Sequence, residues 1–287
     1  APFYGFGLSE QRLGAVLQGQ GDIVVSTKVG RLLVPASGPV DETVVRHGYA
    51  SPMPFEPMFD YSYDAVMRSF AGSHARLPRI DLLYIHDIGR LTHGEGNDRH
   101  MTALTTGGGL KALEELRDAG RIRGFGIGVN EVAACREVMD HARLDAILLA
   151  GRYTLLEQGP LDDLFPACEK AGTAIVVGGP YNSGILATGT KTGGPLYYDY
   201  EPAPAEVVAR VRAMEQVCDA YGVPLAAAAL QFALAHPLVA SVIPGLDSPA
   251  RVKQTLALYG HPIPSALWRD LVRAGLLRAD APVPRGP

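Results

Sequence analysis

The sequence predicts an α/β fold in which parallel strands alternate with helices, most closely a (β/α)8 barrel. Three observations support this prediction. Short apolar runs recur along the chain with helical segments between them, and several of these runs end in a polar side chain. In addition, no Gly-x-Gly-x-x-Gly turn follows the first strand, and Gly124, Gly126 and Gly128, which come closest, lie inside an apolar run. A doubly wound dinucleotide fold is therefore disfavoured.

Composition excludes several classes of partner. The chain has 287 residues, of which 47% are hydrophobic and 20% charged, and its formal net charge is −4. We expect one globular domain over residues 1–287. The charges are scattered and no apolar run approaches about 18 residues, so we expect a cytoplasmic protein without a nucleic-acid or membrane partner. Cys135, Cys168 and Cys218 are widely spaced and are predicted to be buried thiols.

The predicted elements follow one another in a regular order. Six strands are predicted from apolar runs: Asp22–Val29, Ile80–Asp87, Ile122–Asn130, Ala146–Arg152, Ala174–Gly179 and Val239–Pro244. Helices are predicted from their periodicity and end signals: Glu10–Leu17 capped by Ser9, Tyr61–Arg76, Leu110–Ala119, Glu131–His141, Leu161–Ala171, Glu206–His236 and Pro249–Leu258. Two long connections complete the pattern, an excursion over the mouth of a site at Gly30–Asp60 and a polar loop at Gly89–Gly109.

Three polar residues stand at or near strand ends, where parallel folds collect their chemistry: Tyr4, Lys28 and His86. An ammonium group within about 4 to 6 Å of a tyrosine stabilises the phenolate and lowers the tyrosine pKa. A histidine across the site can donate a hydrogen bond to a substrate oxygen. None of these side chains accepts a hydride, so a carbonyl–alcohol reaction requires a nicotinamide. Each residue alone also fits a capping or core role, and the site hypothesis rests on all three.

A metal site is not predicted. His86, His93 and His100 recur every seven residues, but the last two lie in a segment rich in Gly and polar residues. That composition favours a solvated loop over a set of ligands held in place by neighbouring groups.

These residues occur in segments that resemble the aldo-keto reductase family, and more narrowly its branch of D-threo-aldose (L-fucose) 1-dehydrogenases and pyridoxal 4-dehydrogenases. The resemblance covers nearly the whole chain, from Ala1 to about Arg278, and rests on the segments Ala1–Glu10, Ser26–Leu32, Asp81–Asp87, Gly126–Asn130, Leu149–Gln158, Gly178–Leu186 and Ser241–Gly245. It implies a TIM barrel of aldo-keto reductase type. It also implies that Tyr4 is the general acid/base, Lys28 its pKa-lowering partner and His86 the residue that orients the substrate oxygen.

The resemblance also implies a fourth catalytic residue, an aspartate five positions before the tyrosine, and in this numbering that position precedes Ala1. The six predicted strands are two short of a barrel. At about 30 residues per βα unit, the expectation is that the first two strands, roughly 50 residues, are absent from this chain. A chain of this kind made alone is expected to be inactive and poorly folded, because open sheet edges aggregate.

The resemblance implies an NAD or NADP site, with NAD slightly favoured. The implied cofactor residues are Asn130, Gly179, Pro180, Tyr181, Asn182, Ser183, Gly184, Ile243, Gly245, Ser248, Arg251 and Gln254. Ala150 and Gly178 replace a glutamine and a stacking tyrosine that many members have. Gly245 stands where NADP-preferring members often carry lysine, whereas Arg251 keeps a position that can meet a 2′-phosphate.

The implied reaction is oxidation of a cyclic hemiacetal, an aldose such as L-fucose or pyridoxal, to a lactone. Arg31, Arg152 and Asn182 are candidates to bind sugar hydroxyls, although surface roles suit them equally well. Two alternatives stay open, an aldehyde or ketone reductase that uses the same residues in reverse and a cofactor-binding barrel without turnover. We expect a small-molecule substrate and a monomer or homodimer.

Overall fold

The computed structural model describes residues 1–41 and 43–285. The chain divides into two compact units, Ala1–Ile147 and a second unit that begins at Leu148. Each unit combines parallel strands with helices. The expectation of one domain over residues 1–287 stays a prediction.

The first unit is built on three buried parallel strands. Its strands are β1 (Ser26–Val29), β2 (Arg31–Pro35), β3 (Val45–Arg46), β4 (Tyr49–Ala50), β5 (Phe55–Phe59), β6 (Leu82–His86) and β7 (Gly124–Val129). β1 pairs in parallel with β6, and β6 pairs in parallel with β7. All of β7 and nearly all of β6 are buried, as expected for strands covered on both faces.

The segment Gly30–Asp60 contains two antiparallel hairpins. β2 pairs with β5 over five positions, from Arg31 opposite Phe59 to Pro35 opposite Phe55. β3 and β4 form a shorter ladder inside that connection. The excursion predicted from Pro and Gly content is therefore ordered by backbone hydrogen bonds.

The helices of the first unit are α1 (Leu8–Val16), α2 (Tyr63–Arg76), α3 (Arg90–His93), α4 (Asn97–Leu104), α5 (Gly109–Asp118) and α6 (Val132–Met139), with 3-10 turns at Tyr4–Gly7 and Gly94–Gly96. The prediction that Ser9 caps the first helix is wrong, because α1 begins at Leu8 after Gly7 in the left-handed region (φ 99°). The predicted loop at Gly89–Gly109 is also wrong. It contains α3 and α4, and buried Asn97 Oδ1 accepts a hydrogen bond from the Gly89 N–H at 3.0 Å.

The second unit continues the alternation of strands and helices. Strand β8 (Ala146–Ala150) spans the boundary, and β9 (Ala174–Gly178), β10 (Tyr197–Tyr198), β11 (Glu201–Pro202) and β12 (Val239–Ile243) follow. β9 pairs in parallel with β12, and β10 with β11 in a short antiparallel hairpin. The helices are α7 (Leu164–Ala171), α8 (Ile185–Thr188), α9 (Ala205–Ala220), α10 (Leu225–Leu234), α11 (Pro249–Tyr259) and α12 (Ser265–Arg273), with a 3-10 turn at Gly159–Asp162.

All six predicted strands are present, each shorter by one to four residues than the apolar run that predicted it. The predicted helices are present too, and α12, whose buried face includes Trp268, was not predicted. Cys135, Cys168 and Cys218 are buried and form no disulfide, which confirms the prediction of buried thiols. Among the described residues no single helix is long and apolar enough to cross a bilayer; α9 and α10 meet that test only as a pair, with a 98° bend between them.

Candidate active site

Lys28 and His86 lie at the carboxyl ends of neighbouring strands in the first unit. In the parallel ladder of β1 and β6, Lys28 is opposite Tyr84, two residues before His86. Carboxyl ends of parallel strands meet at one edge of a sheet, so the register brings both side chains to the same edge. Lys28 is 9% exposed and His86 is 4% exposed. A charged lysine buried to this degree needs a compensating partner.

Tyr4 is that partner, and a strained turn holds it in place. The turn Tyr4–Gly7 contains Phe6, a fully buried residue whose φ of 56° is unusual for a residue other than glycine. The Ser51 hydroxyl donates a hydrogen bond of 2.6 Å to the Gly5 carbonyl and fixes the turn against the hairpin segment. Strained backbone of this kind is typical of functional sites.

The structure brings the three predicted catalytic residues together. Lys28 Nζ donates a hydrogen bond of 2.5 Å to Tyr4 Oη, and the same nitrogen lies 4.4 Å from the centre of the Tyr4 ring. The rings of Tyr4 and His86 meet edge to face with centroids 5.8 Å apart. An ammonium, a phenol and an imidazole therefore converge in one buried cluster.

Burial dominates the electrostatics of this cluster. It lowers the pKa of Lys28 from 10.5 to about 8, with Arg31 acting in the same direction and Asp87 opposing it. Burial and the Asp87 charge raise the pKa of Tyr4, so the expectation of a lowered Tyr4 pKa is wrong for the protein without bound ligands. The pKa of His86 falls well below its ordinary value because of burial and the positive charges of Lys28 and Arg31. His86 is therefore a neutral imidazole, which donates through one nitrogen only.

Arg31 and Asp87 form a second layer around His86. They are joined by a salt bridge, and Asp87 Oδ2 lies 3.4 Å from His86 Nε2. The Arg31 guanidinium is held between two aromatic rings, 4.1 Å from the centre of Phe3 and 4.8 Å from the centre of Phe59. Arg31 was predicted only as a sugar-binding candidate and Asp87 was not predicted. The signal for Asp87 is its position, directly after His86, where the chain turns with φ of 49°.

Two buried nitrogens in this cluster lack hydrogen-bond partners among the described residues. They are His86 Nδ1 and Arg31 Nε. Buried polar atoms are nearly always paired, so unpaired ones indicate where a ligand or a water binds. A polar substrate group next to His86 would satisfy this need.

The predicted cofactor loop lies in the second unit and has an unusual backbone. Gly179, Asn182, Ser183 and Gly184 all have positive φ, at 55°, 44°, 56° and 97°. The loop is a series of turns closed by its own backbone: the Asn182 N–H donates to the Gly179 carbonyl at 3.1 Å, and the Gly184 N–H to the Tyr181 carbonyl at 3.0 Å. The hydroxyl of Tyr181 in the same loop is buried and unpaired among the described residues. A buried polar atom of this kind indicates where a polar ligand or a water binds, and the pyrophosphate contact at this loop stays a prediction.

The Asn182 side chain has a structural task. Its amide nitrogen donates a 3.0 Å hydrogen bond to the Gly151 carbonyl, and its oxygen accepts a 2.6 Å bond from the Thr154 hydroxyl. It is 3% exposed, so a role in binding sugar hydroxyls is not open to this side chain. Arg152 is also engaged, in a salt bridge of 2.9 Å with Asp199.

The remaining predicted cofactor residues are dispersed. Asn130 directly follows β7 in the first unit and is half-buried. In the second unit Ile243 ends β12, exposed Gly245 follows it, and exposed Gln254 lies on α11. The Ser248 hydroxyl caps α11 by accepting a 3.2 Å hydrogen bond from the Arg251 N–H.

Arg251 presents a partly exposed guanidinium near the beginning of α11. Its Nε lies 3.5 Å from Asp247, and its side chain is 48% exposed. A guanidinium in this state can exchange a surface ion pair, which is worth little, for a phosphate. Arg251 therefore fits the role of a phosphate contact.

Comparison with known proteins decides the family. The sequence model of the Aldo/keto reductase family matches residues 1–274, nearly the whole chain. The chain belongs to the aldo-keto reductase family. Its parallel strands and surrounding helices confirm the predicted fold class, the (β/α)8 barrel class of that family, and it is an oxidoreductase. Aldo-keto reductases use nicotinamide cofactors.

Two dehydrogenases resemble this chain over most of its length. It is 45% identical to pyridoxal 4-dehydrogenase of Microbacterium luteolum and 38% identical to D-threo-aldose 1-dehydrogenase of a Pseudomonas species, and each match covers 96% of this chain and 83% of the relative. Among solved structures, the holo form of an aldo-keto reductase from Bacillus halodurans superimposes with a TM-score of 0.70 at 25% identity. That match covers 98% of this chain and 82% of the other.

Proposed function

We propose that this aldo-keto reductase oxidises a cyclic hemiacetal to a lactone with NAD or NADP as the hydride acceptor. The substrate class is an aldose such as L-fucose, or pyridoxal in its cyclic form. The names of the two relatives support this class, because both are dehydrogenases of compounds that form cyclic hemiacetals. Both substrates carry a hydroxyl on the carbon that gives up a hydride.

The observation that carries the proposal is the hydrogen bond from Lys28 Nζ to Tyr4 Oη at 2.5 Å. At this distance the two groups titrate as one unit. The unit gives up its first proton near the Lys28 pKa of about 8. With one proton fewer it is a base, and with both protons it is an acid.

During oxidation Tyr4 takes the hydroxyl proton of the substrate while the carbon–hydrogen bond breaks and the carbonyl forms. A bound nicotinamide supplies the hydride acceptor, which no side chain offers. Tyr4 accepts this proton as the phenolate, and the Lys28 ammonium, which donates a hydrogen bond to Tyr4 Oη and keeps its own proton, stabilises that phenolate. General acid–base transfer of this kind contributes roughly 10²- to 10⁴-fold in rate.

His86 orients the substrate oxygen. It is neutral and buried, and its ring faces the edge of the Tyr4 ring. A neutral imidazole next to the reacting oxygen donates a hydrogen bond without adding charge. Asp87 of the Arg31–Asp87 pair lies 3.4 Å from His86 Nε2 and restricts the ring.

For the cofactor we propose NAD or dual use, with Asn130 near the nicotinamide and the loop Gly179–Gly184 around the pyrophosphate. Gly245 offers no charge to a 2′-phosphate, and Arg251 offers one. A Michaelis constant for NADP far below that for NAD would overturn the preference for NAD.

The substrate class is tested by comparing pyridoxal, L-fucose and benzaldehyde in both reaction directions, with the protein as its gene encodes it. The proposal predicts a lactone product, identified by mass spectrometry, and kcat/KM for one of the first two substrates at least about 10-fold above that for benzaldehyde turnover. Equal or faster benzaldehyde reduction, without lactone formation, contradicts the proposal.

A second candidate function is reduction of aldehydes by the same residues. The raised pKa of Tyr4 favours it, because a tyrosine with a raised pKa carries its proton at neutral pH, and reduction begins from that state. The same substrate comparison separates the two, since a reductase is fastest with the plain aldehyde.

A further inference from the structure

Tyr61 lies directly behind the candidate active site and contacts its backbone. It is fully buried, between β5 and α2, and its hydroxyl donates a hydrogen bond of 2.8 Å to the carbonyl oxygen of His86. That carbonyl ends β6. The hydrogen bond therefore fixes the backbone of His86 at the point where β6 ends and the following loop begins.

The Tyr61 ring also contacts the end of the strand that carries Lys28. Gly30, two residues after Lys28, has a φ of 101°, and a Cβ at this position would lie 2.3 Å from Tyr61 Cε1. The Asp60 N–H donates a 3.0 Å hydrogen bond to the Gly30 carbonyl. Tyr61 thus braces two neighbouring strand ends, and Gly30 is the residue that gives its ring room.

The hydroxyl of Tyr61 has a second partner that fixes its direction. His93 Nε2 lies 2.9 Å from Tyr61 Oη. Because the hydroxyl hydrogen is committed to His86, His93 must donate to the hydroxyl oxygen. His93 is held in turn by the His100 ring, with centroids 4.0 Å apart, and by the edge of Phe59 at 4.5 Å. A neutral His93 suits this role, and burial together with His100 lowers its pKa to about 4.

We propose that Tyr61 is a positioning residue for the reaction: its hydroxyl fixes the carbonyl of His86 and thereby the direction of the His86 ring. This inference rests on the proposed role of His86. The spacing of the residues predicted neither this contact nor a role for His93, whose segment was interpreted as a solvated loop. Tyr61 touches neither substrate nor cofactor in this account and acts only through His86.

The variant Tyr61→Phe removes the hydroxyl and keeps the ring that packs on Gly30. The His86 carbonyl then loses its partner, and the strand end is free to shift. A displacement of a reacting group by a fraction of an ångström is enough to lower kcat/KM, here by about 10-fold. We expect the dissociation constant for NADH to change less than about 2-fold, because the proposed cofactor residues are untouched.

The test is a double-mutant cycle with His86→Ala, with pyridoxal and NAD as the assay pair and L-fucose as an alternative substrate. The His86 carbonyl is still present in His86→Ala, so any general loss of stability caused by Tyr61→Phe persists there. An effect that passes through the His86 ring disappears. We therefore expect Tyr61→Phe to lower kcat/KM about 10-fold in the natural background and less than about 2-fold in the His86→Ala background.

Tyr63→Phe is the matched control. Tyr63 is two residues away, and its hydroxyl bonds to Glu115 on the exposed surface at 2.5 Å. This variant should leave kcat/KM unchanged in both backgrounds. An equal loss from Tyr61→Phe in both backgrounds, or no loss in the natural one, overturns the inference. If His86→Ala alone keeps full turnover, the proposed role of His86 fails and the inference fails with it; an inactive His86→Ala beside a fully active Tyr61→Phe overturns the inference alone.

Discussion

Replacing Lys28 with methionine should stabilise the protein and abolish its activity. Lys28 is 9% exposed, its ammonium has a single hydrogen bond to Tyr4, and no ion pair to it occurs within the described ranges. Methionine has a similar length and shape, so the variant keeps the packing and removes the buried charge. A lysine at a buried position lowers the stability of the fold, which is a cost typical of catalytic residues.

The magnitude follows from the pKa. A fall from 10.5 to about 8 corresponds to about 3.5 kcal/mol of unfavourable free energy for the charged form at neutral pH, at about 1.4 kcal/mol per pKa unit. Loss of the hydrogen bond to Tyr4 offsets about 1 kcal/mol of this. The net gain for Lys28→Met is then about 2.5 kcal/mol, which raises the thermal midpoint by about 5 °C in a chain of this size.

The dependence on pH gives the second arm of the assay. Because the folded pKa lies below the unfolded value, the unfolded state binds more protons between about pH 8 and pH 10.5, so the stability of the natural protein rises with pH in that window. Thermal melts at about pH 7 and about pH 9.5 should show this rise. The free energy of unfolding should be larger at the higher pH by about 2 kcal/mol. Lys28→Met should lack it.

Lys111→Met provides the control, since Lys111 is 72% exposed and pairs only loosely with Glu115 at 3.7 Å. It should leave the midpoint and its pH dependence unchanged. A Lys28→Met variant that melts below the natural protein at neutral pH would refute the reasoning, because it would show that Lys28 is well stabilised where it lies.

Three further predictions concern the surroundings of the site. Gly30→Ala should destabilise the fold by at least about 2 kcal/mol in urea unfolding, because the added methyl group collides with Tyr61. Gly48→Ala is the control, since Gly48 has a similar positive φ but open space around it, and it should cost about 1 kcal/mol. Equal losses in the two variants would contradict the role of packing against Tyr61. Asn182→Ala should lower stability by about 2 kcal/mol, because the buried Thr154 O–H loses its acceptor and the Gly151 carbonyl loses its side-chain donor; an unchanged melt would contradict the structural role of Asn182. Oxidation should speed up as pH rises through about 8 and reduction should slow down, because the pair loses its first proton there; pH–rate profiles that are flat in both directions would show that Lys28 does not take part.

Sequence reasoning found the strands and their polar ends because each depends on local pattern. The strand predicted over Ile80–Asp87, for example, is β6 (Leu82–His86), and His86 lies at its carboxyl end in the structure. The predicted cap at Ser9 is wrong because α1 begins one residue earlier, at Leu8, after Gly7 in the left-handed region, and this start follows the strained turn at Phe6. Helix α4 was not predicted because its segment is mostly polar, although one face of the helix is buried.

The support around the site was harder to predict, because it depends on contacts between distant parts of the chain. Tyr61 reaches His86 across 25 residues, and Arg31 reaches Asp87 across 56. The periodicity of these segments does not predict contacts over such distances in sequence. The pKa of Tyr4 was mispredicted for a related reason: the sequence shows that a lysine is near but not how deeply both groups are buried.

The central claim is that Tyr4 transfers the proton in this aldo-keto reductase, and Tyr4→Phe tests it most directly. This change removes one oxygen and leaves the ring next to His86 and Lys28. The account predicts that kcat falls by at least about 10²-fold while the dissociation constant for NADH, measured by fluorescence quenching, stays within about 2-fold. Turnover at an undiminished kcat, with the variant folded and binding NADH, would contradict it.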